Sequence, residues 1–327
     1  MARPFDIVGV GSPLVDMIAH VPESYMSSVP GAKGGMELLD AAALDALVAS
    51  VPVELLRAPG GSSANTIVGM ARLGASASFI GKVGTDPSGK FYLSSATQQN
   101  VDTSYIRTSD SVPTGACLSL VTPDSERTCR TNLGAAMTLA PDELSAADFI
   151  SARHAHIEGY VLFNRDLARH VLELAKSAGC SVSLDLASFE VVEANRDVLD
   201  ELLDKYVDVV FANEDEARAH CGSNDPQVAL DTLAEHCRVV AVKLGPEGAL
   251  LRAGSESTRA GADRVQAIDT TGAGDLWAAG FLYGWLNGWD LSRAGALGAK
   301  LGAAVVQQSG AVISDSKWNN IGARLDE

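Results

Sequence analysis

From about residue 141 onward, short apolar runs alternate with segments whose apolar positions recur at helical spacing. Strand-like runs at 154–157, 181–185, 208–211 and 238–243 are separated by helical periodicity at 166–178, 189–205, 213–220 and 227–236. Such βαβ repetition predicts a parallel sheet covered by helices on both faces, which is why its strands read as continuous apolar runs. The first half is more mixed. Residues 5–11 form a short apolar strand that runs into a glycine turn, and 76–80 another strand. Helices are expected from Asp40, with Leu44, Leu47 and Val48 on one face, and over Ile67, Val68, Met70 and Leu73. A further helix starts at Pro87 and runs to Gln99. Residues 114–121 and 126–133 flank a Thr122-Pro123-Asp124-Ser125 turn and alternate in polarity, which predicts a hairpin with one wetted face. With the irregular, strand-like stretch 17–39 it makes a small separate sheet, suited to a lid.

Composition narrows the function classes. The 327 residues are 46% hydrophobic and allow a substantial core in one large domain or two. No run reaches the ~18–20 apolar residues of a membrane span, and no early segment combines a basic stretch with a long apolar core, so no signal peptide is expected. The five cysteines are odd in number, scattered and never spaced C-x-x-C, which argues for a reducing, cytoplasmic setting and against a disulfide framework. A net charge of −16 repels phosphate backbones and anionic lipid, so neither nucleic acid nor a membrane is an expected partner. It also repels free ATP. Any phosphate site must therefore be built from backbone N–H groups, a few cations such as Lys243, and Mg²⁺.

Asp269-Thr270-Thr271-Gly272-Ala273-Gly274-Asp275, followed by a buried-helix pattern over 276–286, is where such a site is expected. A glycine-rich turn feeding a helix N-terminus offers unpaired N–H groups and the positive dipole end to an anion. A carboxylate there would repel a merely bound anion. It makes sense if Asp275 takes the proton from a hydroxyl attacking a phosphoryl group. Elsewhere, Asp16 lies past the first glycine turn at the C-terminal edge of the first strand, where open α/β sheets bind ligands. Gly60-Gly61 allows close backbone approach, and Asn65, one turn into the helix, suits a polyhydroxyl ligand. Asn213 and Glu216 share a helical face just past a strand; they fit hydrated Mg²⁺ and equally an N-cap with an acidic first turn. Lys243, Gly245 and Gly248 end a strand in a turn suited to nucleotide phosphate or ribose.

Two motif matches fail on chemistry. Gly9-Val10-Gly11 lacks the third glycine of a dinucleotide fingerprint, and Pro13 sits where the helix should begin. Residues 84–90 fit G-x-x-x-x-G-K, but Phe91 replaces the metal-binding hydroxyl and Asp86 would repel phosphate. His154 and His156 alternate on a strand without further ligands and read as satisfied strand histidines.

In this order along nearly the whole chain, these residues resemble the PfkB (ribokinase-like) family of carbohydrate and nucleoside kinases. The resemblance rests on Asp16, Gly60-Gly61 with Asn65, the 79–84 stretch with Asp86 and Gly89, Asn213-x-x-Glu216, Lys243-Leu244-Gly245 with Gly248, and above all Asp269 to Asp275. It implies a three-layer α/β/α core with a mostly parallel sheet and a small β-sheet lid, the core spanning 1–16, 54–108 and 134–327 and the lid 17–53 and 109–133. It implies ATP as donor, Mg²⁺ as cofactor and a K⁺ ion near the anion site. Carried over, Asp275 is the base, and the N–H groups of Gly272, Ala273 and Gly274 form the anion hole. Asp16, Gly60, Gly61 and Asn65 bind the acceptor. Asn213 and Glu216 organise Mg²⁺ and phosphate, with Glu216 reaching the metal through water. Lys243, Gly245 and Gly248 line the ATP site, and Asp269 and Thr271 belong to the monovalent-ion loop.

The stretches Lys33 to Asp40 and Ala58 to Ile67, the hairpin with Asp124 and Glu126-Arg127-Thr128, and Glu158-Gly159-Tyr160 look most like the bacterial adenosine-kinase-like branch, which implies a ribonucleoside acceptor. Arg130 and Asn132, where a purine would meet an apolar surface, fit a second polar or anionic group on the substrate instead. The expectation is an ATP-dependent kinase acting on the hydroxymethyl group of a ribonucleoside. A ribokinase- or fructokinase-type carbohydrate kinase is the alternative, and a non-catalytic nucleotide-binding protein a more distant one. The lid sheet's wetted face offers a surface for a homodimer.

Overall fold

The computed structural model describes residues 4–322. The first half of the chain serves two sheets in turn. β1 (Phe5–Val10) is followed by β2 (Leu14–His20), β3 (Met36–Leu38), α1 (Ala41–Ser50) and β4 (Leu56–Gly60). Next come α2 (Ser62–Arg72), β5 (Ala77–Gly84), α3 (Pro87–Gln98), β6 (Val101–Asp102), β7 (Ile106–Ser109) and the hairpin β8 (Thr114–Val121) and β9 (Arg127–Gly134). The second half alternates strands with helices: β10 (Ala152–Glu158), α4 (Arg165–Ser177), β11 (Ser181–Asp185), α5 (Phe189–Tyr206), β12 (Val209–Asn213), the pair α6 (Glu214–Cys221) and α7 (Pro226–His236), and β13 (Val239–Lys243). A hairpin of β14 (Ala249–Ala253) and β15 (Glu256–Ala260) precedes α8 (Ala273–Leu286), α9 (Leu291–Val305) and α10 (Asp315–Gly322).

The large sheet runs β15-β14-β13-β12-β11-β10-β1-β5-β6, with β7 also on β5. It is parallel from β13 to β6 and antiparallel only at the β14–β15 edge. One face buries α4 to α7 and the other α2, α8 and α9, two separate apolar clusters that make three layers. α8 is apolar around most of its surface and is accordingly packed on all sides. Asp86 caps α3, its Oδ1 accepting the Gly89 N–H at 2.9 Å, so the chance phosphate-loop match is a capped helix with its N-terminus already taken. His154 bonds Ser181 and Ser183, and His156 Nδ1 bonds Ser183 Oγ at 2.8 Å. Burial pushes their pKa values down to about 3 and about 4, so both are neutral strand histidines. Of their ring nitrogens only His156 Nε2 lacks a partner among the described residues.

The second sheet runs β3-β9-β8-β2-β4, and it differs from the sequence expectation in three ways. It takes Leu56–Gly60, which the expected core segment 54–108 had included. It also takes Leu14–His20, so Asp16 stands on a lid strand opposite Cys117 and not at the end of β1. Thirdly, it has no wetted face. Met17, Ala19, Val21, Leu118 and Leu120 on one side pack against Leu44 and Leu47 of α1, which fills the surface expected to be open to a second subunit. The polar alternation of β9 comes from side chains that bind backbone instead of water. Its outer face carries Thr128, Arg130 and Asn132, all engaged with residues 30–39. The sheet reaches over the core: Ser125 Oγ donates to the Ala267 carbonyl at 3.1 Å, and His20 Nε2 lies 2.7 Å from Ser309 Oγ.

Candidate active site

The N-termini of α2 and α8 face each other, and Asp275 is where they meet. Asp275 Oδ1 accepts from Ser62 Oγ at 2.8 Å and Oδ2 from Asn65 Nδ2 at 2.9 Å. Burial, reinforced by Asp185, raises its pKa above the usual carboxylate value, against the pull of these hydrogen bonds and of Lys243. A carboxylate whose pKa is raised in this way binds a proton more readily than a free one. Gly272 caps α8 with φ 73°, and a Cβ there would come 2.4 Å from Ala311 Cβ, so only glycine fits. The N–H groups of Gly274 and Asp275 find no acceptor among the described residues. The Ala273 N–H, expected in the anion hole, donates instead to the Thr270 carbonyl at 3.2 Å. The helix start thus keeps open donors next to a base, the combination an attacking hydroxyl and a transferring phosphoryl group require.

On the acceptor side the structure brings Asp16, Gly60, Gly61 and Asn65 together. The glycines are explained by the protein's own packing. A Cβ on Gly60 would meet the Asp16 carboxyl at 2.3 Å, and one on Gly61 (φ 107°) the Ser12 carbonyl at 2.2 Å. Burial pushes Asp16 up to about 7 while Arg127 pulls the other way. The register puts Asp16, Cys117, Cys129 and Arg127 on one face of the sheet, because directly opposed residues share a face and alternate residues keep it. Leu14, Cys117, Cys129 and Leu133, with Met36, form an apolar cluster on that face, and Tyr160 borders a small cavity with Gly11, Ser12 and Leu133.

Arg130 and Asn132 are not there. Strand parity turns both to the opposite face. Arg130 is 0% exposed, and its guanidinium donates to the carbonyls of Pro30, Ala32, Gly35 and Cys129. Asn132 Nδ2 donates to the Leu39 carbonyl at 2.8 Å. Both tie down the 30–39 segment, which corrects the expectation that they meet substrate.

On the phosphate side, Lys243 Nζ donates to Asp185 Oδ2 at 2.7 Å. A Cβ on Gly274 would lie 3.1 Å from that ammonium, so the cation sits directly under the anion turn. Burial opposes its charge, but Asp185 and Glu216 hold its pKa above the ordinary value. Gly245 and Gly248 shape the tight β13–β14 connection; a Cβ on Gly248 (φ 92°) would strike the Ala260 carbonyl at 2.0 Å. Asn213 and Glu216 form a complete capping box: Asn213 N and Nδ2 donate to the two Glu216 oxygens, and Glu216 N donates back to Asn213 Oδ1. Glu216 is 2% exposed and burial raises its pKa. Each oxygen retains a lone pair, so the pair fits an outer-sphere contact to Mg²⁺ and no direct cage. No group of three or more His, Cys, Asp or Glu among the described residues is arranged to hold a metal.

Asp269 is 0% exposed. Its Oδ1 accepts the Thr271 N–H and hydroxyl at 2.8 and 2.6 Å, and its Oδ2 the Gly310 N–H at 2.7 Å. Both expected cation-loop side chains are thus consumed in bracing the turn, and a monovalent ion there would rest on backbone carbonyls.

The sequence gives Asp185, Glu158, Ser62 and Arg127 no role in the site, although the last three lie in stretches that carry the family resemblance. The first two stand at the C-terminal ends of β11 and β10, the position that open α/β sheets reserve for ligand contacts, so that rule applied to every strand would have found them.

The family model described as pfkB family carbohydrate kinase matches residues 45–318. The chain is 30% identical over 283 residues to the 5-dehydro-2-deoxygluconokinase of Shouchella clausii, covering 82% of this chain and 86% of that one. Among solved structures, an adenosine kinase from Sinorhizobium meliloti superposes with TM-score 0.92 at 32% identity, covering 99% of this chain and 100% of the other. A probable sugar kinase from Rhizobium etli CFN 42 does so with TM-score 0.92 at 31% identity, covering 99% of each. With the ribokinase-like α/β architecture and a buried carboxylate beside a glycine turn at the start of α8, the chain belongs to the PfkB family of sugar and nucleoside kinases.

Proposed function

We propose that this protein transfers the γ-phosphoryl group of ATP to the hydroxymethyl group of a ribonucleoside. The observation that carries the choice of acceptor is the apolar surface beside Asp16. Leu14, Cys117, Cys129 and Leu133 would give a planar base a dry seat, whereas a free sugar would leave them facing hydroxyls. The likeness to an adenosine kinase along the full length of both chains supports the same reading.

In this scheme Asp16 accepts hydrogen bonds from ribose hydroxyls, and Asn65 fixes the Asp275 carboxylate toward the attacking oxygen. Asp275 takes the proton as that oxygen bonds to phosphorus and the bond to the leaving ADP oxygen breaks. The N–H groups at the start of α8 and the Lys243 ammonium receive the charge that develops on the phosphoryl oxygens. When bound, Mg²⁺ would neutralise phosphate charge, held by the nucleotide and by Glu216 through water. Positioning and electrostatics suffice, because phosphoryl transfer needs little covalent help from the protein.

A second reading has its own support. Arg127 stands on the apolar face with its charge toward Asp16, and a cation there favours an acceptor that carries an acid group. ADP release measured with adenosine, other ribonucleosides, fructose and sugar acids separates the two. Turnover highest with a nucleoside supports the proposal, and turnover confined to sugar acids overturns it in favour of Arg127 as an acid-group ligand.

A further inference from the structure

We propose that Glu158 is a positioning residue that holds both halves of the acceptor site with one carboxylate. Glu158 ends β10 and is 1% exposed. Its Oε1 accepts the Ser12 N–H at 2.7 Å, and its Oε2 accepts the Ser63 N–H at 3.0 Å. Ser12 lies in the turn between β1 and β2, and β2 carries Asp16. Ser63 lies in the first turn of α2, between Ser62 and Asn65, which hold the two oxygens of Asp275. One side chain therefore spans the segment that presents the acceptor-binding carboxylate and the segment that aims the base. It touches neither reacting group.

The chemistry of the side chain argues against simple packing. Burial and the nearby Asp275 push the Glu158 pKa up to about 7 against the pull of the Ser12 and Ser63 hydrogen bonds, so the site works against a charged side chain here. A neutral side chain of the same size would fill the space without that penalty. An ionised carboxylate is the side chain of this length that accepts two N–H bonds and presents no donor of its own. A glutamine in its place would satisfy one amide and turn its NH₂ against the other. The backbone is adapted to the same contact: a Cβ on Gly11 would lie 2.3 Å from Glu158 Oε2, so the turn closes over the carboxylate only with glycine there.

This role rests on the kinase reading for its consequence and on geometry alone for its mechanism, and the test separates the two. Hydrogen exchange by mass spectrometry on the full-length protein, without ligands, reads the brace directly. E158Q and, independently, G11A should speed exchange in peptides containing Ser12 and Ser63 by about tenfold or more while the strands of the large sheet stay protected. Steady-state kinetics with adenosine and ATP read the consequence. The kcat/KM for adenosine should fall about 10–100-fold, as expected when reacting groups are misplaced by a fraction of an ångström to an ångström, with the KM for ATP within about twofold of wild type. Unchanged exchange at both peptides, or a uniform rise across the whole protein, overturns the brace. A KM for ATP that rises as much as that for adenosine overturns its restriction to the acceptor side. If wild-type protein does not phosphorylate adenosine, the nucleoside assignment fails alone, and the exchange result still decides the role of Glu158.

Discussion

Replacing Asp275 with Asn separates catalysis from architecture, because the structure predicts opposite signs for the two. The amide keeps one oxygen for the Asn65 donor, and its NH₂ can donate to Ser62 Oγ, whose hydroxyl turns to accept. Local geometry is thus preserved while the base is lost. Loss of a positioned general base lowers turnover by roughly 10²–10⁴-fold, about 3–5 kcal/mol of barrier. Stability should move the other way. Burial raises the folded-state pKa of Asp275 above its ordinary 3.8. The stability this group contributes is fully present below that ordinary value and is lost as pH rises toward the folded-state value. Asn removes this loss. D275N should therefore melt at or above the wild-type temperature at pH 8, with the difference vanishing near pH 4, while ADP release collapses and ATP affinity is retained. Coupled-enzyme kinetics, ATP titration and thermal melts at the two pH values make the measurement. Turnover within about threefold of wild type would falsify the base assignment, and a fall in melting temperature at both pH values would show that the carboxylate holds the fold together.

Three further outcomes follow from the same geometry. Asp16→Asn should stabilise the ligand-free protein at pH 8 by on the order of a few kcal/mol, since burial lifts that carboxyl from 3.8 to about 7, while raising the acceptor KM; a lower melting temperature at pH 8 refutes it. Arg130→Met should lower unfolding free energy in urea by about 3–5 kcal/mol, because it strips the donors from four carbonyls. Substrate KM values should stay within about twofold, and a raised acceptor KM without destabilisation would return Arg130 to the substrate site. Glu216→Gln should raise the concentration of Mg²⁺ needed for half-maximal rate by roughly tenfold, as expected for loss of an outer-sphere contact; a change confined to the acceptor KM contradicts the outer-sphere role.

The parallel core was legible because its signals are local and redundant. β11, β12 and β13 are apolar runs, and the helices between them start at residues that cap, such as Ser188 and Asn213. The anion turn was legible for the same reason, since Gly272 and Asp275 declare their chemistry within a few residues. The lid was not, and the reason is physical. Alternating polarity predicts water on one side, yet Thr128, Arg130 and Asn132 are polar because they bind the backbone of residues 30–39, a segment with no regular ladder partner over most of its length. A side chain that satisfies a neighbour's carbonyl looks, in sequence, the same as one that satisfies water. Arg130 stands one residue from Cys129, and in a sheet that one step separates a side chain on the Asp16 face from one on the opposite face. At Gly60 and Gly61 the space a Cβ would need is taken by Asp16 and the Ser12 carbonyl. What composition could not reveal is which partner fills the space a glycine leaves, and in this fold the partner is often a buried carboxylate. Asp16 against Gly60 and Glu158 against Gly11 are the same device used twice, each placing a charge where the two sheets of the protein meet.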